Sequence, residues 1–325
     1  MRLYALGSNG SGQLALGHQR DVSVPEKCHL PADIINNGIK QVVAGGNHAL
    51  VLSRTGFVQA FGGTNLSLEN VSMISATWTA SVCLKQAGRV ATMGDGLNGE
   101  LGLGMGISKA KEFCDIPDFP PQGASVVHVA SSMSHTVAVL DNGEVWGWGK
   151  GRHGQLGKPN QDAWLPRKVQ DVPFPVAKAV CGKDFTCIIG EPAQGNLLIL
   201  GIQGRDRFGL KSQIATQVPG WTDIAASWGS IYVLINGRLI GFGRNDHGQL
   251  PPPGLTPIVQ IAAGSEHCLA LTKCGKILAW GWGEHGNCGQ PIDSNGDVKS
   301  RWNEIDLVSP TAIFAGCATS FIATC

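Results

Sequence analysis

The strongest constraint on the fold is a pattern that recurs seven times along the 325 residues. Its first half reads Gly-x-x-His followed by alternating apolar residues. Its second half reads x-Gly-x-Val, then Gly-x-Asn and Gly-Gln-Leu. Clear first halves are Gly45-Gly-Asn-His48, Ser132-Met-Ser-His135 and Gly264-Ser-Glu-His267. Weaker ones begin at Thr77, Gly182, Ser227 and Gly316. The matching second-half glycines are taken as Gly7, Gly62, Gly94, Gly149, Gly201, Gly243 and Gly283. The second half at Gly7 has no first half before it, and the first half at Gly316 runs out at Cys325. Joined, the two ends give a step close to that of the other copies, so they are expected to complete one unit together.

Each copy holds short stretches of period two, such as His135-Thr-Val-Ala-Val-Leu140, bounded by turn signals such as Asp141-Asn-Gly143 and Asn236-Gly237. Period two with frequent turns means antiparallel strands. A lone sheet of this kind cannot bury both faces, so the units must pack against one another. The expectation is all-β: a seven-bladed β-propeller, closed by N- and C-terminal strands in one blade, forming a single domain over residues 1–325. Sharing a blade between the ends removes exposed strand edges.

Composition narrows the function classes. Hydrophobic residues make up 43% and charged residues 15%, with a net charge of +1, so a large core is affordable and no nucleic-acid-binding charge pattern is present. No apolar run approaches a membrane span. The start, Met-Arg-Leu-Tyr-Ala-Leu-Gly, reaches glycine before a signal-peptide core forms. The expected location is cytoplasmic, with the nucleus as a second compartment, and the ten cysteines are expected to be reduced thiols. The sequon Asn65-Leu-Ser67 then carries no meaning.

Trp146-Gly-Trp-Gly-Lys-Gly-Arg-His-Gly-Gln-Leu-Gly157 and Gly7-Ser-Asn-Gly-Ser-Gly-Gln-Leu-Ala-Leu-Gly17 resemble the repeat of the regulator-of-chromosome-condensation family of seven-bladed propellers, and the resemblance spans the chain. Trp280-Gly-Trp-Gly-Glu-His-Gly-Asn-Cys-Gly289, Gly264-Ser-Glu-His267 and Phe314-Ala-Gly-Cys-Ala-Thr-Ser-Phe321 look like one branch of it, the fungal alpha-tubulin-suppressor or killer-toxin-insensitivity propeller. That resemblance implies a non-enzymatic protein that forms a heterodimer with a small CSL-type zinc-ribbon electron carrier. The pair would serve diphthamide synthesis on elongation factor two and, through the Elongator complex, wobble-uridine modification of tRNA. The founding member of the wider family implies the alternative, guanine-nucleotide exchange on a small GTPase.

Most chemistry-bearing residues have a structural reading. Gly94-Asp-Gly-Leu-Asn-Gly99 and Gly149-Lys-Gly-Arg-His-Gly154 spell a dinucleotide fingerprint, but no helix follows either. Cysteines show no Cys-x-x-Cys spacing, so no metal site and no cofactor is expected. His48, His135 and His267 share one repeat position and are expected to hold their own blades by hydrogen bonds. No catalytic residue is assigned. Trp146 and Trp280 are expected in the core.

Candidates for partner contact are residues that break the repeat or place an aromatic in a turn. Trp78 and Trp228 sit in equivalent turns, where a large aromatic either plugs the channel or meets a partner. Glu266, Trp282, Glu284, His285, Asn287 and Cys288 lie in or beside the copy that departs furthest from the pattern, Cys288 replacing the leucine of Gly-Gln-Leu. Insertions at 104–122 and 290–307, and the charged turn Gly204-Arg-Asp-Arg-Phe208, are expected to be loops. Asp293-Ser-Asn-Gly-Asp297 resembles a calcium loop but lacks its flanking helices, so calcium is not assigned.

Overall fold

The computed structural model describes residues 1–325 apart from 64–65, 203, 205 and 214; Asn65 of the sequon and Arg205 of the charged turn lie outside the described residues. Among the described residues the fold is all-β, a seven-bladed β-propeller with one antiparallel sheet per repeat. The first sheet runs, in spatial order, Val22–Lys27, Arg2–Gly7, Thr319–Thr324 and Pro310–Gly316. The two ends of the chain therefore close one blade, with Arg2 opposite Thr324 and Gly7 opposite Thr319.

The other sheets follow the chain. The second begins at Ile39–Ala44 and the third at Val71–Ala76. The fourth comprises Val126–Ser132, His135–Leu140, Val145–Gly149 and Ala163–Lys168. The fifth and sixth, starting at Lys178–Cys181 and Trp221–Ala226, have three strands each among the described residues. The seventh comprises Ile258–Ala263, His267–Thr272, Ile277–Trp282 and Asp297–Ile305. Two compact units emerge from the backbone contacts. One joins Met1–Ser67 to Trp221–Cys325 and the other is Leu68–Gly220.

Strand pairing corrects the register of the last repeat. His135 lies opposite Gly149 and His267 lies opposite Gly281, so the repeat glycine is Gly281 rather than Gly283. Gly281 has φ 101° and Gly149 has φ 95°. A Cβ on either would stand 2.6 Å from the Glu266 carbonyl oxygen or 2.5 Å from that of Ser134, a space only glycine can occupy. The Trp-Gly-Trp-Gly motif fits two registers that differ by two residues and present the same face, which is why the alternation could not separate them.

The corrected register makes Trp280 the partner of Trp148, and both are fully buried. Each indole Nε1 donates to a carbonyl of the preceding repeat's Gly-Gln-Leu turn: Trp148 to Glu100 at 3.0 Å and Trp280 to Gln249 at 2.9 Å. Trp146, expected in the core, is half-buried, with its Nε1 on Glu144. The insertions are also corrected. Lys109–Asp115 and Asp297–Ile305 are outer strands of the third and seventh sheets rather than loops. In the calcium-like run, Asp293 Oδ1 accepts from the backbone N–H groups of Asn295 and Asp297, which uses that carboxylate in a turn.

Two of the repeat histidines, His135 and His267, act between blades rather than within them. His135 Nε2 meets Thr186 Oγ1 of the next sheet at 2.9 Å, and Thr186 in turn donates to the Gln155 carbonyl. His267 Nε2 meets Ser320 Oγ at 2.9 Å, and Ser320 donates to the Asn287 carbonyl at 2.7 Å. Each hydroxyl hydrogen is thus committed, so the imidazole must be the donor in both pairs.

Candidate functional site

In the first unit, three turns are laced together at one end of the sixth, seventh and first sheets. Trp228 N–H donates to the Ser265 carbonyl, Ser265 N–H to the Gly316 carbonyl, and Ala318 N–H to Ser265 Oγ. The residue after each repeat glycine is pinned beside these turns. Arg244 N–H donates to the Gly229 carbonyl, Trp282 N–H to that of Glu266, and Ser8 N–H to that of Ala318. Trp282 therefore occupies a sheet-end position where other copies carry Ser8, Lys150 or Arg244. This is where the repeat allows a side chain to leave the core.

Around Trp282 the side chains form a connected surface. The His247 ring stacks on it at 5.4 Å between centroids and 27° between planes, and the His285 ring meets it edge-on at 6.1 Å. Each histidine is fixed from behind by a carboxylate, His247 Nδ1 by Asp297 at 2.8 Å and His285 Nδ1 by Asp21 at 2.9 Å. Glu266, 5% exposed, accepts from Arg244 Nη1 at 3.1 Å and from Gln249 Nε2 at 2.8 Å. Arg244 also grips Asp246. Burial raises the Asp246 carboxyl, but the hydrogen bonds from Arg244 and Gln249 outweigh it and bring it down to about 2. Both partners of each carboxylate–cation contact are thereby held in place, which lowers the ordering cost a partner would meet on this surface.

The structure brings together five of the residues singled out from sequence: Trp228, Glu266, Trp282, His285 and, exposed between the last two, Glu284. It places Asn287 and Cys288 elsewhere. They are 1% and 0% exposed and therefore present no surface to a partner. In the other copies the Gly-Gln-Leu glutamine accepts from the backbone N–H two residues before it: Gln13 from Ser11, Gln155 from His153, Gln249 from His247. Asn287 is one methylene shorter. Its Nδ2 instead donates to the Trp282 carbonyl at 2.8 Å, while its Oδ1 has no hydrogen-bond partner. Asn287 thus supports Trp282 from below. Cys288 packs in the apolar core of the seventh sheet, and burial pushes its thiol well above the ordinary value.

Trp78 is half-buried in the equivalent turn of the second unit, its N–H on the Met133 carbonyl. Sequence reasoning missed Asp21, Arg244 and Asp297. Asp21 and Asp297 are distant in sequence from the histidines they hold, and Arg244 reads as an ordinary turn residue. No cluster of three or more His, Cys, Asp or Glu side chains suited to a metal ion occurs among the described residues.

Comparison with known proteins bears on the repeat and the fold. Two models of the Regulator of chromosome condensation (RCC1) repeat match, one at residues 2–52 and 142–189, the other at 126–155 and 258–290. An RCC1 repeat-containing protein of Schizosaccharomyces pombe is 29% identical over 98% of both chains. The secretion-regulating guanine nucleotide exchange factor of Mus musculus is 26% identical over 90% of this chain and 76% of its own. Among solved structures, human WBSCR16 superposes with a TM-score of 0.82 at 19% identity, covering all of both chains. Prp20p of Saccharomyces cerevisiae does so at 0.82 and 20% identity, covering 99% of this chain and 90% of its own.

Proposed function

We propose that this chain of RCC1-type repeats is a non-catalytic binding module whose partner is a small CSL-type zinc-ribbon protein. In this reading the pair supports diphthamide synthesis on elongation factor two and Elongator-dependent modification of the tRNA wobble uridine. It acts in the cytoplasm, with the nucleus as a second location. The observation that carries the binding reading is the Trp282 surface: a half-exposed tryptophan clamped between two histidine rings, each tethered to a carboxylate. Rigid aromatics with satisfied polar neighbours are the usual anchors of protein interfaces. The zinc-ribbon identity rests on the resemblance of the Trp280–Gly289 and Gly264–His267 segments to that branch. A rigid surface laid over the partner's metal site would restrict water and oxidant.

Guanine-nucleotide exchange is the second reading. It is favoured by the likeness to the mouse exchange factor and to Prp20p, whose structure is described with binding to Gsp1p and histones. Co-purification separates the two. Recovery of a zinc-ribbon protein with the tagged chain supports the first reading, and accelerated nucleotide release from a Ran-type GTPase supports the second. If the Glu284→Arg, Trp228→Ala double variant captures the zinc-ribbon protein as well as the parent does, the assigned surface is wrong.

A further inference from the structure

The second unit contains a small polar cavity that the partner surface does not use. It encloses about 170 Å³ and is lined by Arg152, His153, Asn160, Asp184, Arg207 and Phe208 among others. Pockets that enclose whole small molecules run from about 300 to 1,000 Å³, so the occupant here is one functional group.

The repeat shows how this cavity arises. Asp184 holds the place that Glu266 holds in the seventh sheet, two residues after Gly182 as Glu266 is two after Gly264. Glu266 reaches the turn glutamine, Gln249, at 2.8 Å. Asp184 is one methylene shorter, and the bond to its own turn glutamine is not made. Asp184 Oδ1 and Gln155 Nε2 are both buried without a hydrogen-bond partner. The whole Asp184 side chain is only 8% exposed. Its Oδ2 accepts from Arg207 Nη1 at 3.0 Å, while Lys150 Nζ and His153 Nε2 each stand 3.6 Å from Oδ1. A buried acceptor left unmade is costly, and it demands a donor.

Charge selects the class of that donor. Three fixed cations, Lys150, Arg152 and Arg207, face the region against two carboxylates, Asp184 and the Asp162 that holds Arg152. A cationic donor would be repelled. The fitting group is an anion that still carries a proton: its charged oxygens meet the guanidinium and imidazole groups, and its hydroxyl donates to Asp184. Carboxylate and sulfate at neutral pH have no proton to give. Phosphate does: free hydrogenphosphate keeps one proton at neutral pH, and a monoester, whose second ionisation lies near pH 6, carries one in its monoanionic form. We propose that this cavity binds one phosphate group, free or as a monoester on a larger molecule, and that Asp184 selects it over sulfate. This inference does not rest on the zinc-ribbon reading.

The test is titration calorimetry of the full chain with inorganic phosphate, with a phosphoserine tripeptide and with sulfate. Phosphate or the phosphopeptide is expected to bind at least about tenfold more tightly than sulfate, which corresponds to one ordinary hydrogen-bond difference. Preference for the peptide assigns the site to a phosphorylated macromolecule; preference for the free ion assigns it to inorganic phosphate. Asp184→Asn should abolish the discrimination by letting sulfate in. Arg152→Ala, at a largely exposed side chain, should weaken phosphate about tenfold with an unchanged melting temperature. Arg89→Ala, in the turn before the strand Val90–Asp95, should do nothing. Absence of phosphate binding, equal binding of sulfate to the parent chain, or indifference to both Asp184→Asn and Arg152→Ala would overturn the proposal.

Discussion

His267 donates from Nε2 to Ser320 Oγ across 2.9 Å, joining the seventh sheet to the sheet that both chain ends build. The ring is fully buried, as is His135 in its equivalent link to Thr186. Burial is the main reason that both imidazoles are lowered from 6.5 to about 4. Between those values the unfolded chain binds more protons than the folded one. The stabilisation is therefore complete above pH 6.5 and is lost as pH falls toward 4. Each ring contributes roughly 3 kcal/mol over that span. Melting temperature measured from pH 7.5 to 4.5 should fall steeply below 6.5, and His267→Gln, which keeps a donor but cannot titrate, should flatten the slope.

The register of the last repeat gives a second prediction. Gly281→Ala should cost about 3–5 kcal/mol, since its Cβ would enter the Glu266 carbonyl while φ remains positive. Gly275→Ala, also at positive φ but with open space around it, should cost about 1–2 kcal/mol. Denaturant titration of the two variants measures the difference. Equal losses would place the repeat glycine elsewhere.

Much of this was legible in the chain. Seven copies, period-two strands and incomplete ends together specify blades and a shared closing sheet, because these are local patterns. The position of Gly281 was not, because Trp280-Gly-Trp-Gly283 satisfies the alternation in two frames. Nor could the direction of the histidine bonds be read, since Ser320 and Thr186 lie 53 and 51 residues beyond their partners. The same distance hid Asp21 and Asp297 behind the Trp282 surface. Cys288 drew notice by replacing a leucine, yet substitution of one small apolar group by another in a core turn signals packing, not contact.

Trp282 and Asn287 separate surface from support. Trp282→Ala should reduce stability by about 1 kcal/mol, the scale of its ring contacts. It should weaken partner capture by roughly thirtyfold or more, as loss of an interface anchor does. Asn287→Ala should reverse the weighting. It leaves the Trp282 carbonyl without its 2.8 Å donor and should cost about 1–3 kcal/mol of stability, with a smaller loss of affinity. Thermal melts paired with pull-down titrations read both quantities. If Asn287→Ala weakens capture more than Trp282→Ala does, the tryptophan is not the anchor.

Thiol chemistry provides the last prediction. Cys28, Cys83, Cys181, Cys187, Cys268 and Cys288 are buried, and burial pushes their thiols up, so none presents a thiolate near neutral pH. Cys317 is raised to about 12 by the same cause. Cys274 is the opposite case: exposed, and lowered by the Thr272 hydroxyl and nearby donors. A disulfide reagent at pH 7.5 should therefore modify Cys274 first and exposed Cys325 next, leaving Cys288 unmodified until the protein unfolds. Mass mapping of labelled peptides checks the order. Rapid labelling of Cys288 in the folded protein would mean that the turn beneath Trp282 opens, which would transfer that thiol from the core to the partner surface.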